Sequence, residues 1–588
     1  MTRSTDLPDR IFGLLLGAAA GDALGWPQEQ RSGIVGGRKS RDVQPSMAFR
    51  SWSRWAGGHY AKYEDPVAAG EYSDDTQLLL ATARSCLRGA DWLAWLRNVE
   101  LPTWPLYQRG GGRAVLAACR AWQNGSPPWQ GPESRVRSYF AAGANGVAMR
   151  ISPHAIATID DTNPTALISR VLNDGVLTHG HPRALLGAVI YALGVRHTVQ
   201  QQGAAEYGEL LFALTRTREW ADPDVAVGAV PVDWLEQYEE HSKLPFAASW
   251  RRAAEEMQQL LRIVSESLER SALADDEKTL STLGCFDPKV NGAGTITAAA
   301  SFYLAARFSV RPSMGMLRSA FLPNADTDTL ASMTGALLGA LHGSEWLRPL
   351  CGKLQDRAYI ERLAELLAAP ASYQTPASKP IPYPGGKRWL EEFTSTGTVS
   401  HFPDGRLIRS ATSRKIRESD NFTVTRYQMV TEDGQSMVVD HSVRAKGHVN
   451  AAGRSGETIA PSQRHTYSAV TRIAVYVSDI NQSLRFYRDV LGVDTHGGER
   501  AFYLSPWIAV LERPEGKGAS KGHPLQITVS TPDPERVAAM VEKHGIRTIQ
   551  RGPRDVPGSL RVLDPDGHEV LVWPSSELRS ERLHEPPR

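Results

Sequence analysis

The sequence predicts a multidomain protein: a large all-α domain over residues 8–372, a linker region with a β-hairpin over 373–468, and an α+β domain over 469–575 built as a tandem βαβββ unit. Three observations carry this. The chain has 588 residues, too many for one core and enough for two to four domains of about 150 residues each. Apolar residues recur at spacings of three and four as far as about residue 372 and then give way to alternation. Near the end, one strand and helix pattern occurs twice.

In the first region, the segments 11–20, 76–87, 113–122, 184–191 and 329–341 read as helices, several of them apolar on nearly every face. Such helices belong at the centre of a large helical domain. ASYQTPASKPIPYPGGKRW, 371–389, is rich in proline, glycine and serine and reads as a linker. FTVTRYQMVTEDGQSMVVDHSVR, 422–444, alternates β-formers around EDGQ and predicts a hairpin. KGHVNAAGRSGETIAPSQRH is polar and small, a second linker. The duplication then reads TRIAVYVSD, NQSLRFYRDVLG and AFYLSPWIAVLE, followed by PLQITVST, DPERVAAMVEKHG, RTIQRGP, SLRVLDPDG and HEVLVW.

Charge and cysteine content exclude several classes. Lysine and arginine number 66 against 64 acidic residues, and a net charge of +2 creates no field to steer nucleic acid or anionic membrane. Cys86, Cys119, Cys285 and Cys351 form no CxxC pair, which argues against a zinc knuckle or a disulfide framework and for a reducing compartment. No apolar run reaches the ~20 residues of a membrane helix. IFGLLLGAAAGDALG is led by MTRSTDLPDR, whose Asp6 and Asp9 do not suit a secretory leader. The expected location is cytoplasmic, with no membrane partner.

Two apolar helices open on acids: EYSDDTQLLLATA at 71–83 and NADTDTLASMTGALLGALHG at 324–343. Serine and aspartate are good N-caps, and carboxylates suit the positive end of a helix dipole. Taken singly, each motif reads as a cap. Taken together they ask for more. A dipole stabilises a carboxylate by about 0.3–1 kcal/mol, whereas two carboxylates at about 4 Å repel by about 4 kcal/mol at an effective dielectric of 20. If the two helix starts converge, a divalent cation is needed, and oxygen ligands suit magnesium or manganese. Spacing alone does not establish convergence.

The segments GLLLGAAAGDALGWPQE (13–29), YSDDT (72–76), GANGVAMRISPHA (143–155), THGHP (178–182) and NADTDTLASMTGALLGALHG (324–343) resemble, in order and spacing, the motifs of the ADP-ribosylglycohydrolase family. The resemblance covers residues 8–372. It implies an all-α domain with two Mg²⁺ or Mn²⁺ ions held by Ser73, Asp74, Asp75, Asp326, Asp328 and Thr329. It also implies Asp75 or Asp328 as general base, and Glu29 as the residue that orients substrate or closes the site. Asn145 and Gly146 fall in the family's loop around ADP-ribose, and His179 on a ligand-contacting histidine. Ser73 stands where threonine is usual, and Asn324 and Ala325 replace a usual glycine pair. The implied reaction is metal-assisted hydrolysis at the anomeric carbon of ADP-ribose, on a modified protein, nucleic acid or small conjugate. His154 and His181 read as structural or surface histidines, and RGGGR at 109–113 as a phosphate-approaching loop or a plain turn.

RIAVYVSDINQSLRFYRDVLGV and LDPDGHEVLVW resemble the vicinal oxygen chelate family of glyoxalases, dioxygenases and bleomycin-resistance proteins, over residues 469–575. Where metal-binding members place two histidines and two glutamates, this chain has Arg472, Glu512, Pro524 and Leu571, with His523 and His568 off register. One carboxylate of four cannot build such a site. The expectation is a metal-free recognition or assembly module. Two rival readings stay open: a non-enzymatic ADP-ribose binder, and small-ligand sequestration by the C-terminal domain.

Overall fold

The structure, a computed structural model, describes residues 7–29, 34–35, 38–39, 44–57, 62–201, 208–370, 385–396, 399–419, 422–444, 473–477, 480–490, 496–498, 501–505, 508–512, 526–531, 534–546, 548, 560–563 and 569–574. It divides into a unit ending at Asn450 and a second beginning at Ala451. The first unit contains, in chain order, helix α1 (Leu7–Gly25), strands β1 (Trp52–Ala56) and β2 (Tyr63–Val67), and helix α2 (Asp74–Cys86). Helices α3 (Pro182–Gln200), α4 (Phe246–Glu269), α5 (Gly294–Arg307), α6 (Thr327–His342) and α7 (Gly385–Thr396) follow, then strands β3 (Ile408–Glu418), β4 (Phe422–Thr431) and β5 (Ser436–Arg444). Shorter helices complete the helical body.

Helices α1, α3, α5 and α6 are buried along almost their whole length, as their apolar character on every face requires. Helix α4 is different. Its buried residues, among them Phe246, Trp250, Ala253, Met257, Leu260, Leu261, Val264 and Leu268, fall at spacings of three and four, so it forms an outer layer. The tightest contact is between α1 and α6. Gly13, Gly17, Gly21 and Gly25 line one side of α1, and a Cβ on any of them would lie 2.1–2.2 Å from the carbonyl oxygens of Gly339, Gly335, Ala331 and Thr327 respectively. Backbone therefore packs on backbone, and Thr327 Oγ1 donates to the Gly25 carbonyl at 2.9 Å.

The region read as a linker is largely a folded part of the first unit. β4 and β5 pair antiparallel from Phe422↔Arg444 to Val430↔Ser436, the hairpin the alternation predicts, and β3 adds to β4 as an edge strand. Trp389 and Phe393 of α7, Phe402, Met429 and Met437 are buried in one cluster with Leu78, Trp104 and Tyr107 of the helical body. Buried polar bonds reinforce this seam. Arg84 pairs with Glu100 at 2.7 Å and donates to Gln435 Oε1 at 3.0 Å. Arg426 spans Asp440 at 2.7 Å and Asp65 at 2.6 Å. The proline- and glycine-rich composition of 371–389 gives no sign of a docked helix, although Trp389 and Phe393 are buried in this cluster and Leu390 packs against it. The polar stretch after 444 lies outside the described residues up to 472.

The second unit repeats one arrangement. Strand β6 (Ile473–Val477), helix α8 (Ile480–Arg485) and strands β7 (His496–Gly498), β8 (Ala501–Ser505) and β9 (Ile508–Glu512) form a sheet of order β6-β9-β8-β7 with β6 parallel to β9. Strand β10 (Gln526–Thr531), helix α9 (Pro534–Lys543) and strands β11 (Leu560–Leu563) and β12 (Glu569–Pro574) follow in order β10-β12-β11, with β10 parallel to β12. The strand expected across RTIQRGP is represented by one bridge, Thr548↔Val562; the rest of that segment lies outside the described residues. So do Arg472, Pro524, His523 and His568. No helix among the described residues is long and apolar enough to cross a membrane.

Candidate functional site

The capping question at α2 has a structural answer. Ser73 is the N-cap, its Oγ accepting the Asp75 N–H at 3.3 Å. Asp22, the one charged residue between Arg10 and Glu29, is fully buried in α1 and accepts from the Ser73 N–H at 3.1 Å, the Thr76 N–H at 3.0 Å and Thr76 Oγ1 at 2.6 Å. The N–H groups of Ser73, Asp75 and Thr76 at the helix start are thus satisfied by Asp22 and Ser73. The Asp75 carboxylate is surplus to capping. At α6 the cap expectation fails outright: Asp326 occupies the N-cap but makes no side-chain cap bond, and its Oδ2 instead accepts from Asn145 Nδ2 at 2.9 Å.

The two helix starts converge. Carboxylate oxygens of Glu29, Asp326 and Asp328 lie within 4.8 Å of one another. These three line a single cavity of about 790 Å³ together with Asp74, Asp75, Thr329, Asn145, Gly146 and His179. Ser73, expected among the ligands, is fully buried in its capping role and does not line the cavity. The RGGGR loop closes one side: Gly110 has φ +98°, and a Cβ there would sit 2.9 Å from Asp74 Oδ1, so both conformation and proximity demand glycine. Arg109, which opens that loop, is anchored on Asp65 at 3.0 Å, the same carboxylate that Arg54 and Arg426 hold.

Burial, then Asp22 and Glu29, pushes the Asp74 carboxyl up to about 8. Burial and neighbouring carboxylates also push Asp75 and Asp328 well above the usual range. Asp75 Oδ1 is buried with no hydrogen-bond partner among the described residues. A set of hard oxygen donors that repel one another, with one oxygen left orphaned, fits divalent cations of the magnesium or manganese type. Across the cavity, Asn145 is fixed by its N–H to the Gly292 carbonyl at 2.9 Å and its Nδ2 to Thr297 Oγ1 at 3.1 Å. His179 packs on Gly146, and burial, with Arg150 adding, pushes its imidazole down to about 3, so it is neutral. Asn324 adopts φ +67°, a conformation asparagine tolerates, with its side chain exposed, while Ala325 lines the cavity.

Sequence reasoning missed Asp22, Arg150 and Asp174. Asp22 carried a readable signal, a lone acid in an apolar helix. Arg150 and Asp174 form a fully buried ion pair at 2.7 Å that no spacing rule connects. His154 is the structural histidine expected, its Nε2 on Asp174 Oδ2 at 2.9 Å, and His181 caps α3 through Nδ1.

Fold and site together define a helical protein with a carboxylate-lined, ligand-sized cavity. The sequence pattern of the ADP-ribosylglycohydrolase family matches residues 3–376, and the chain belongs to that family. A second pattern, that of the Glyoxalase/Bleomycin resistance protein/Dioxygenase superfamily, matches residues 469–572. Among characterised relatives, the chain is 26% identical over 205 residues to the ADP-ribosyl-[dinitrogen reductase] glycohydrolase of Rhodospirillum rubrum, covering 33% of this chain and 60% of that one. It is 26% identical over 112 residues to the metallothiol transferase FosB of Staphylococcus epidermidis, covering 18% of this chain and 79% of that one. Of solved structures, an ADP-ribosylglycohydrolase-related protein complex aligns with 62% of this chain and 98% of its own, at 22% identity and a TM-score of 0.38. The fosfomycin resistance protein FosX of Mesorhizobium loti aligns with 20% of this chain and 100% of its own, at 18% identity and a TM-score of 0.16.

Proposed function

We propose that the first unit hydrolyses the glycosidic bond between ADP-ribose and a modified protein, nucleic acid or small conjugate. The observation that carries this is the convergence of the α2 and α6 acids on one cavity that also holds Asn145, Gly146 and His179. Glu29, Asp74, Asp75, Asp326, Asp328 and Thr329 form the donor set for two Mg²⁺ or Mn²⁺ ions. When bound, such ions supply charge neutralisation and lower the pKa of water.

The remaining work falls to the chain's own groups. Asp75 or Asp328, ionised once the cations are held, takes a proton from water as the water oxygen bonds to the anomeric carbon, and passes that proton to the leaving nitrogen or oxygen as its bond to that carbon breaks. Asp328 Oδ1 already accepts the Thr329 N–H at 2.8 Å, which fixes the carboxylate plane. Asn145 holds Asp326 in register with it, and Glu29, half-buried at the end of the turn after α1, orients substrate or closes the mouth. The second unit acts as a non-catalytic recognition or assembly module, a reading supported by the single carboxylate among its four ligand positions. Four buried, unpaired thiols accord with a reducing, cytoplasmic setting.

The test is release of ADP-ribose from arginine-, serine- and nucleobase-linked substrates with magnesium or manganese, in wild type and Asp328→Ala. Release by wild type alone is expected. Binding of ADP-ribose without release from any substrate would instead mark a binding protein.

A further inference from the structure

We infer that Arg150 and Thr178 are positioning residues that fix the His179 imidazole as an Nε2–H donor facing the cavity, so that the site grips an acceptor oxygen of its ligand. The inference rests on the proposed ADP-ribose site for the identity of that ligand, but its structural basis is independent of it.

Arg150 is fully buried and can only donate. Its Nε and Nη2 bond Asp174 Oδ1 at 2.9 and 2.7 Å, its Nη1 the Gly146 carbonyl at 2.6 Å, and its Nη2 also Thr178 Oγ1 at 2.9 Å. Burial would raise the Asp174 carboxyl, but Arg150 and His154 outweigh it and hold it below the usual range, so the pair stays ionised. Thr178 Oγ1 therefore accepts from Arg150. Its one hydrogen needs an acceptor, and its other partner is His179 Nδ1 at 2.9 Å. Were Nδ1 protonated, two donors would face one hydroxyl whose own hydrogen had nowhere to go inside a buried site. Nδ1 is consequently the acceptor, and the neutral ring carries its proton on Nε2.

That nitrogen has no protein partner among the described residues. A Cβ on Gly146 would lie 3.3 Å from it, and both residues line the cavity. The same guanidinium thus fixes the Gly146 carbonyl and, through Thr178, the polarity of His179. One buried cation sets both walls of the ligand loop.

The experiment is nitrogen NMR on full-length protein labelled with ¹⁵N-histidine, the His179 signal assigned by its loss in His179→Gln, alongside calorimetric titration with ADP-ribose in the presence of magnesium. Wild type is expected to show a neutral ring protonated at Nε2. Thr178→Val should abolish that single tautomer and weaken ADP-ribose binding roughly tenfold, and Thr178→Ser should restore both. A proton found on Nδ1 in wild type overturns the inference, as does a Thr178→Val protein with unchanged tautomer and affinity. Failure of wild type to bind ADP-ribose would overturn the functional proposal instead, since the tautomer is read without ligand.

Discussion

Asp74, Asp75 and Asp328 together set the pH behaviour of the acid cluster. In the fold the Asp74 carboxyl is pushed up to about 8, first by burial and then by Asp22 and Glu29, against about 3.9 in an unfolded chain. Without a cation, the native state therefore holds a proton that the unfolded chain has lost between roughly pH 4 and 8. The contribution to stability is full below the lower value and is lost as pH rises through the upper one; Asp75 and Asp328 shift the same way. Chelator-treated protein should accordingly melt at falling temperature from about pH 6 to 9. Magnesium at about a hundred times its Kd should add about 2.7 kcal/mol, and it should bind more tightly at the alkaline end, where it no longer competes with protons. A metal-free melting temperature that climbs over this range would contradict the burial of these groups. Asp75→Asn should raise the metal-free melting temperature near pH 9 while lowering ADP-ribose release by about 10²–10³-fold, which thermal scans and a release assay would separate. The four aspartates were legible as two acidic helix starts, because the same arrangement opens two apolar helices although each one alone reads as a cap. Arg150 and Asp174 were not: a pair 24 residues apart becomes meaningful only once helices place them side by side.

At the scale of elements, the register of α1 against α6 fixes the distance from Glu29 to Asp328. Gly21→Val would drive a side chain into the Ala331 carbonyl, which an ideal Cβ meets at 2.1 Å. Overpacking of this kind costs about 1–3 kcal/mol or more, and it should also lower magnesium affinity, because the helix starts separate. Gly228→Ala, where a Cβ meets nothing within 4 Å, is the control and should leave both unchanged. Denaturant melts and metal titration on the two variants decide the matter. Both helices could be recognised as buried from their all-round apolar faces. Their pairing could not, since a four-residue glycine period marks a contact strip without naming its partner. The β4–β5 hairpin was readable from alternation. Strand β3 was not, because nearly all its side chains are exposed and polar, leaving no period to detect.

For the whole molecule, the family match ends at residue 376 but the first compact unit continues to 450. A chain cut at 376 would strip α7 and the β3–β5 sheet from Leu78, Trp104 and Tyr107, uncovering a buried apolar cluster and leaving Arg84 without Gln435. It should aggregate or lose several degrees of melting temperature, whereas a chain of residues 1–450 should retain ADP-ribose release. Comparative expression and thermal scanning of the two would check this. Equal behaviour would make the sheet a dispensable attachment. The docked sheet escaped sequence reasoning because the connecting stretch is proline- and glycine-rich, the composition of a spacer, and the tertiary contacts of Trp389, Phe393, Gln435 and Arg426 join residues far apart in the chain.

The glycine strip has a temporal consequence. Thr327 bonds Gly25 across 302 positions, so α1 leaves the ribosome long before its partner. At about 5–20 residues per second, α1 waits roughly 15–60 s for the surface that covers its glycine strip. For that interval the glycine strip of a nineteen-residue apolar helix lacks its native cover. Assembly of the acid cluster then waits until α6 has emerged, and a nascent chain halted before residue 327 should depend on chaperones to stay soluble.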